Sequence, residues 1–194
     1  MKLQIIVGST RPNRVSLNVA KWVAAAAKEL PETTVEVVDL ATYDLPFLDE
    51  PMSPQLNSNR NPNPNAKKFL NKVAEGDAYI LVTPEYNRSY SAVLKNALDY
   101  IDFQLEKKPV ALVAHGSTGG AQAVAHLRGV LAGLKSFTTP TATFLIGRAG
   151  ELINDSGELN EEARSNPFSP QVALKATLEE LKWYSDTLSA ARAR

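Results

Sequence analysis

The sequence predicts a doubly wound α/β domain with a five-stranded parallel sheet, and three observations carry that expectation. Five short runs are almost continuously apolar and rich in β-branched residues, as strands buried on both faces require. Stretches with apolar residues at helical spacing separate them, so strand and helix alternate along the chain. The length, 194 residues, suits one core, and no repeat or composition break marks a second domain.

The strands are expected at 3–7, 35–40 ("VEVVDL"), 78–83 ("AYILVT"), 109–114 ("PVALVA") and 141–146 ("TATFLI"). After the first, Val15, Val19, Trp22, Val23, Ala26 and Leu30 share one helical face. A shorter helix is expected over about 66–74. Tyr90, Val93, Leu94, Ala97, Leu98 and Ile101 share a face after the third strand, and Gly120, Val124, Leu127, Leu131 and Leu134 after the fourth. A final helix over about 171–191 turns Leu178, Leu181, Tyr184 and Leu188 inward. Repeated β-α units imply right-handed crossovers and a sheet covered on both faces.

Residues 51–65, "PMSPQLNSNRNPNPN", hold four prolines and five asparagines, a composition that does not suit helix or strand. They read as a surface loop, with a functional lid as the alternative.

Composition removes whole classes of function. Twenty-one basic residues balance twenty-one acidic ones, so no long-range field selects nucleic acid or an anionic membrane. No apolar run reaches the roughly 18 residues that span a bilayer. The start "MKLQII" reads as a strand without secretory features, and a cytoplasmic protein is expected. With no cysteine there is no dithiol chemistry, so a bound cofactor must carry any electrons. Two isolated histidines make a poor metal site, and none is expected.

Ligands of doubly wound sheets sit beyond the carboxyl ends of the strands, where strand order reverses. The informative segments therefore follow the strands. "GSTRPNRVS", residues 8–16, joins the first strand to a helix whose amino end attracts anions. Ser9, Thr10 and Ser16 supply hydroxyls, and Arg11, with Arg14 as a further candidate, supplies a guanidinium that forks onto phosphate. The competing interpretation makes Ser16 a helix cap and both arginines solvated. Neither G-x-G-x-x-G nor G-x-x-x-x-G-K-[ST] is present, so a single phosphate, as in a mononucleotide, fits better than a dinucleotide or a nucleoside triphosphate.

The second segment, "TPEYNRSYSAVLKNALDYI" at 83–101, offers the aromatic face of Tyr86 and polar Asn87, Ser89 and Ser91 ahead of a helix; a planar heterocycle or an ordinary capped turn both fit. The third, at 115–120, has Gly116, Gly119 and Gly120, which allow close approach of backbone to ligand at a helix amino end or simply form a turn.

Together "GSTRPNRVS", "PEYNRSYSAVLKNALDY" and "HGSTGGAQAVAHLRGVL" resemble the NAD(P)H-dependent FMN reductase family, which has a flavodoxin-like fold with strand order 2-1-3-4-5. P-E-Y-N followed by L-K-N-A-L-D is specific at this spacing, whereas G-S-x-R alone is weak. The resemblance implies that Ser9, Arg11 and Ser16 hold the FMN phosphate and that Pro84, Glu85, Tyr86 and Asn87 line the isoalloxazine ring. It implies that Ser117, Gly119 and Gly120 approach the pyrimidine side, where the helix end would favour the negative charge of a reduced flavin. The chain departs from many relatives at Arg88 and at Ser91-Ala92, on the substrate side; Arg88 either meets a nicotinamide phosphate or faces solvent.

The activity implied is hydride transfer from NADPH or NADH to FMN and on to a small-molecule acceptor such as a quinone, free flavin, azo compound or metal oxyanion. The cofactor does the bond chemistry, so no catalytic side chain is required, and Tyr86 and His115 are ring-side candidates only. A homodimer or homotetramer is implied as well, and Tyr100, Phe103 and Leu105 are candidates for an exposed apolar patch or for core.

Two other classes compete. A flavodoxin-type carrier binds FMN without enzymatic turnover, but the neutral charge and Arg11 disfavour it. A serine hydrolase would use Ser117 with His115 or His126, yet "HGSTG" lacks the first glycine of G-x-S-x-G and the histidines fall too early in the chain.

Overall fold

Apolar runs that alternate their side chains between two faces need cover on both, and the computed structural model, which describes residues 1–193, supplies it with helices on each side. The strands are β1 (Lys2–Val7), β2 (Thr34–Asp39), β3 (Ala78–Pro84), β4 (Pro109–Gly116), β5 (Phe137–Thr138) and β6 (Thr143–Ile146). They are all parallel, in the order β2-β1-β3-β4-β5, with β6 also paired to β4. This is the flavodoxin-like order the resemblance implied.

The helices are α1 (Val15–Ala27), α2 (Pro64–Ala74), α3 (Ala92–Tyr100), α4 (Ala121–Gly133), the short α5 (Ala149–Leu152) and α6 (Glu161–Ser165), and α7 (Pro170–Arg192). Period-two alternation divides the core. Ile6, Leu81, Leu112 and Ala114 face Phe69, Leu94, Leu98, Leu127 and Leu131 from α2, α3 and α4. Ile5, Val7, Ile80, Val82 and Val113 face Val19, Val23, Leu174, Leu178 and Leu181 from α1 and α7. The middle strand β3 is buried along its whole length, as a near-continuous apolar run should be.

Two expectations change, and one open alternative is decided. The fifth strand is two pieces on one edge of β4, not a single run over 141–146. Pro140 brings no N–H; the Arg128 guanidinium donates to the carbonyls of Thr139 and Pro140 at 2.9 and 2.7 Å, and the Thr141 N–H donates to Glu180 at 2.8 Å, so side chains serve the interrupted backbone. Tyr100 and Leu105 are core residues, 0% and 1% exposed, leaving Phe103 alone of that trio on the surface. Helix α3 begins at Ala92, so Tyr90 of the expected helical face lies ahead of it, because the Ser91 hydroxyl caps the helix by accepting from the Leu94 N–H.

The proline- and asparagine-rich loop is tied down. Arg60 donates to both carboxylate oxygens of Glu50, at 2.7 and 2.8 Å, and to Asp102 at 2.9 Å, with its own side chain 7% exposed. The preceding segment hangs on α3: the Asn96 amide donates to the Pro46 carbonyl at 2.7 Å and its oxygen accepts from the Leu48 N–H.

Candidate functional site

The carboxyl ends of β1, β3 and β4 open onto a cleft of about 290 Å³. Its walls are the first loop from Arg11 to Ser16, Pro84 to Tyr86 after β3, and His115 and Gly116 at the end of β4. Gly8 admits the first loop to this edge: its N–H donates to the Val82 carbonyl at 2.8 Å, and a Cβ there would lie 2.8 Å from that same oxygen. Ser91, while capping α3, donates its hydroxyl to the Gly8 carbonyl and so joins the first loop to the second.

Three helices of two turns or more, α1, α3 and α4, begin at this edge beside the single-turn α5, which follows β6 without a side-chain cap, and the amino ends of the three differ. The end of α3 is capped by Ser91. The end of α4 follows Gly120, a left-handed residue with no side-chain cap of its own, and Glu85 reaches across to serve it. The Glu85 carboxylate accepts from the N–H groups of Gln122 and Ala123 at 3.0 and 3.4 Å and from the Thr118 hydroxyl at 2.8 Å. Burial opposes ionisation of Glu85, but these hydrogen bonds, with the nearby Arg88 charge, hold its carboxyl below the usual range. The end of α1 has no side-chain cap at all. An anion at this edge therefore meets open helix donors at α1, and the expectation that α4 turns a free positive end to the ligand gives way to a helix end already met by Glu85.

Around α1 the two arginines divide. Arg14 forms an ion pair with Asp39 at the end of β2, and both side chains are less than one-fifth exposed. Arg11 is exposed, makes no ion pair among the described residues, and lies over the Tyr86 ring at 5.4 Å from its centroid. Ser9, 1% exposed, shares a hydrogen bond of 3.3 Å with the Tyr86 hydroxyl. Ser16, also 1% exposed, shares one of 2.8 Å with His115 Nε2. Burial pushes the His115 imidazole down to about 4, so the ring is neutral at pH 7.

Arg11, Ser16, Pro84, Glu85 and Tyr86 line the cleft, and Ser9 supports it through Tyr86. Asn87 lies outside that lining, at the exposed tip of a tight turn closed by mutual hydrogen bonds of Tyr86 and Ser89; its φ of 49° and the 67° of Arg88 are those such a turn demands. Ser117 is exposed and Gly119 and Gly120 are buried, just beyond the cleft wall. Gly120 is obligatory: at φ 89° a Cβ would sit 2.4 Å from that of Ala114. The Arg14–Asp39 pair and the His115–Ser16 pair link positions 25 and 99 residues apart, so neither leaves a local signal in sequence.

The hydrolase arrangement is not formed. Nε2 of His115 serves Ser16 and not Ser117, while His126 Nδ1 meets Ser89 at 3.0 Å on the surface. A larger groove of about 540 Å³ between α1 and α7 is lined by Ala26, Leu30, Val172 and Leu178 and lies away from the strand ends that carry polar groups. Among the described residues no cluster of His, Asp and Glu fits a metal ion, and no helix is long and apolar enough to cross a membrane.

The donor set fits one phosphate ester beside a planar ring: an open helix end, an unpaired guanidinium, two hydroxyls and an aromatic face. Comparison with known proteins agrees. The sequence profile described as NADPH-dependent FMN reductase matches residues 1–151. An NAD(P)H-dependent FMN reductase of Schizosaccharomyces pombe is 31% identical over 184 residues, covering 86% of this chain and 92% of that protein. A quinone reductase of Pseudomonas putida is 32% identical over 171 residues, covering 84% and 86%. The flavoenzyme NAD(P)H:acceptor oxidoreductase FerB of Paracoccus denitrificans shares the fold, with TM-score 0.73 at 22% identity over 94% of this chain and 98% of its own. By its sequence across most of its length, the chain belongs to the NADPH-dependent FMN reductase family.

Proposed function

We propose that this protein binds FMN in the cleft at the ends of β1, β3 and β4 and acts as an NAD(P)H-dependent oxidoreductase toward a small-molecule acceptor. The observation that carries the proposal is the open amino end of α1 in the cleft beside Arg11, which has no ion-pair partner among the described residues, while the ends of α3 and α4 are capped from within the chain.

When bound, FMN supplies the redox chemistry, accepting a hydride from a nicotinamide and yielding two electrons to the acceptor. The chain's residues bind and orient. The α1 N–H groups, Ser16 and Arg11 would hold the phosphate, and Ser9, bonded to the Tyr86 hydroxyl, would fix Tyr86 as a wall for the ring. Pro84, Tyr86 and the main chain of Glu85 would line the isoalloxazine, with Asn87 at the rim, and the Glu85 carboxylate, bonded to Thr118 and Gln122, would hold the 115–120 loop with Ser117, Gly119 and Gly120 toward its pyrimidine side. No side chain need give or take a proton, and none is assigned that work. The acceptor belongs to the quinone, flavin, azo or metal-oxyanion classes. The relatives, an FMN reductase and a quinone reductase by name, support that range. A single domain built on one sheet, a homodimer or homotetramer, and a cytoplasmic setting complete the proposal; exposed Phe47, Leu56 and Phe103 supply apolar surface for a subunit contact.

The test is spectroscopic and kinetic. The purified chain with FMN should be yellow and should oxidise NADPH or NADH only when an acceptor from a quinone, flavin and azo panel is present. A yellow protein inert toward both nicotinamides would identify a carrier, and a chain that retains no FMN would end the proposal.

A further inference from the structure

We propose that His115 is a positioning residue for the anion site: its Nε2–H donates to Ser16 Oγ and thereby turns the Ser16 hydroxyl proton toward a phosphate held at the amino end of α1. The inference rests on the cleft being a phosphate site and adds a residue to it.

The geometry comes from two separate elements. His115 is fixed by β4, where it pairs with Pro84 and its carbonyl accepts the Glu85 N–H at 2.8 Å. Ser16 is the second residue of α1, and its hydroxyl oxygen lies 2.8 Å from His115 Nε2, with both residues lining the cleft.

A serine hydroxyl has one proton, and a neutral imidazole has one N–H. Two arrangements satisfy the pair. If the serine donates to Nε2, only oxygen lone pairs face the cleft, and they repel a phosphate. If Nε2–H donates to the serine, the hydroxyl proton is free to form a charge-assisted hydrogen bond with the anion. No group among the described residues hydrogen-bonds Nδ1, so nothing in the protein retains the imidazole proton there. A bound phosphate therefore selects the Nε2–H form, because only that form offers it a donor. The depressed basicity of this part-buried ring agrees, since a neutral imidazole can act in this way without bringing a second charge.

The test compares FMN with riboflavin, which lacks the phosphate. Flavin is stripped from the full-length chain and each compound is titrated back, with binding read by quenching of flavin fluorescence. His115→Leu should weaken FMN binding roughly tenfold or more while moving riboflavin binding less than about twofold. His115→Gln, whose amide N–H reaches about as far as Nε2, should restore FMN binding, and His115→Asn, which is shorter, should not. Adding His115→Leu to Ser16→Ala should cost nothing further, because the serine is the only path from His115 to the phosphate. Equal losses for FMN and riboflavin, failure of glutamine to rescue, or additivity with Ser16→Ala would each overturn the proposal. If His115→Leu does not fold, the glutamine and asparagine variants alone decide it. Failure of the underlying site looks different: Arg11→Ala and Ser16→Ala would then leave the preference for FMN over riboflavin unchanged.

Discussion

Arg11 and Arg14 stand three positions apart in one loop, and the structure predicts opposite consequences for their loss. Arg11→Ala removes an exposed guanidinium with no carboxylate partner among the described residues, whose one marked contact is the Tyr86 ring at 5.4 Å. An exposed cation–π contact is worth about 0.5–1 kcal/mol, which for a chain of this size lowers Tm by only about 1–4 °C. A charge-assisted hydrogen bond to phosphate is worth about 1.5–3 kcal/mol, so FMN affinity should fall by roughly 10- to 150-fold. Riboflavin affinity should barely move, and the FMN loss should shrink as salt screens the exposed charge. Arg14→Ala strands Asp39, whose side chain is 18% exposed and also accepts from the Ala41 N–H at 3.0 Å. That should cost about 1–3 kcal/mol of stability and leave FMN binding much less affected. Fluorescence titration at two salt concentrations and thermal melts of both variants decide the matter. Undiminished FMN binding by Arg11→Ala, or loss of FMN from Arg14→Ala with an unchanged melt, would refute the division.

Other outcomes follow from buried charge and from protonation. Arg60→Met leaves Glu50 and Asp102 without their shared cation and should destabilise the chain by about 3 kcal/mol in urea unfolding; a loss under about 1 kcal/mol would mean that the 51–65 loop does not depend on this network. Glu85→Gln should lower the melting temperature at pH 7 through the weakened end of α4. Because the folded pKa of Glu85 is depressed, its contribution is present above the unfolded carboxylate range and fades as pH falls through the folded value, so the gap between parent and variant should close as the solution is acidified below that range. His115 has the opposite chemistry and a similar dependence. Its folded pKa of about 4 lies below the unfolded value, so the unfolded chain binds the extra proton. Stability from this group is complete above about pH 6.5 and falls by up to roughly 1.4 kcal/mol per pH unit between there and about pH 4. His115→Gln should flatten that part of the profile, and an unchanged slope would show that the ring is not held neutral.

The sheet was legible because burial on both faces leaves a plain trace. Alternation of apolar and polar residues is not needed where "AYILVT" has no polar face to present, and β3 appears within one residue of its expected range. Phe137-Thr138 was illegible because two residues carry no period, and their pairing to β4 depends on Arg128 and Glu180 serving the chain that follows them. Tyr100 and Leu105 had no local mark of burial, since whether side chains at or just past a helix end are covered depends on distant segments: the Tyr100 hydroxyl, on the last residue of α3, donates to the Pro46 carbonyl at 3.2 Å.

By itself the sequence determined the order of strands and helices, the polar loops that follow the strands, and the hydroxyl and guanidinium chemistry of 8–16, because periodicity and residue type are local properties. Only the tertiary structure decided which donors are left for a ligand. Ser91 and Glu85 cap two helix ends and Asp39 takes Arg14, which leaves the end of α1 and Arg11, while His115 meets the Ser16 hydroxyl and sets how it can be used. Hydrogen-bonding capacity is finite, and what has been used between residues far apart in the chain can be read only after they meet.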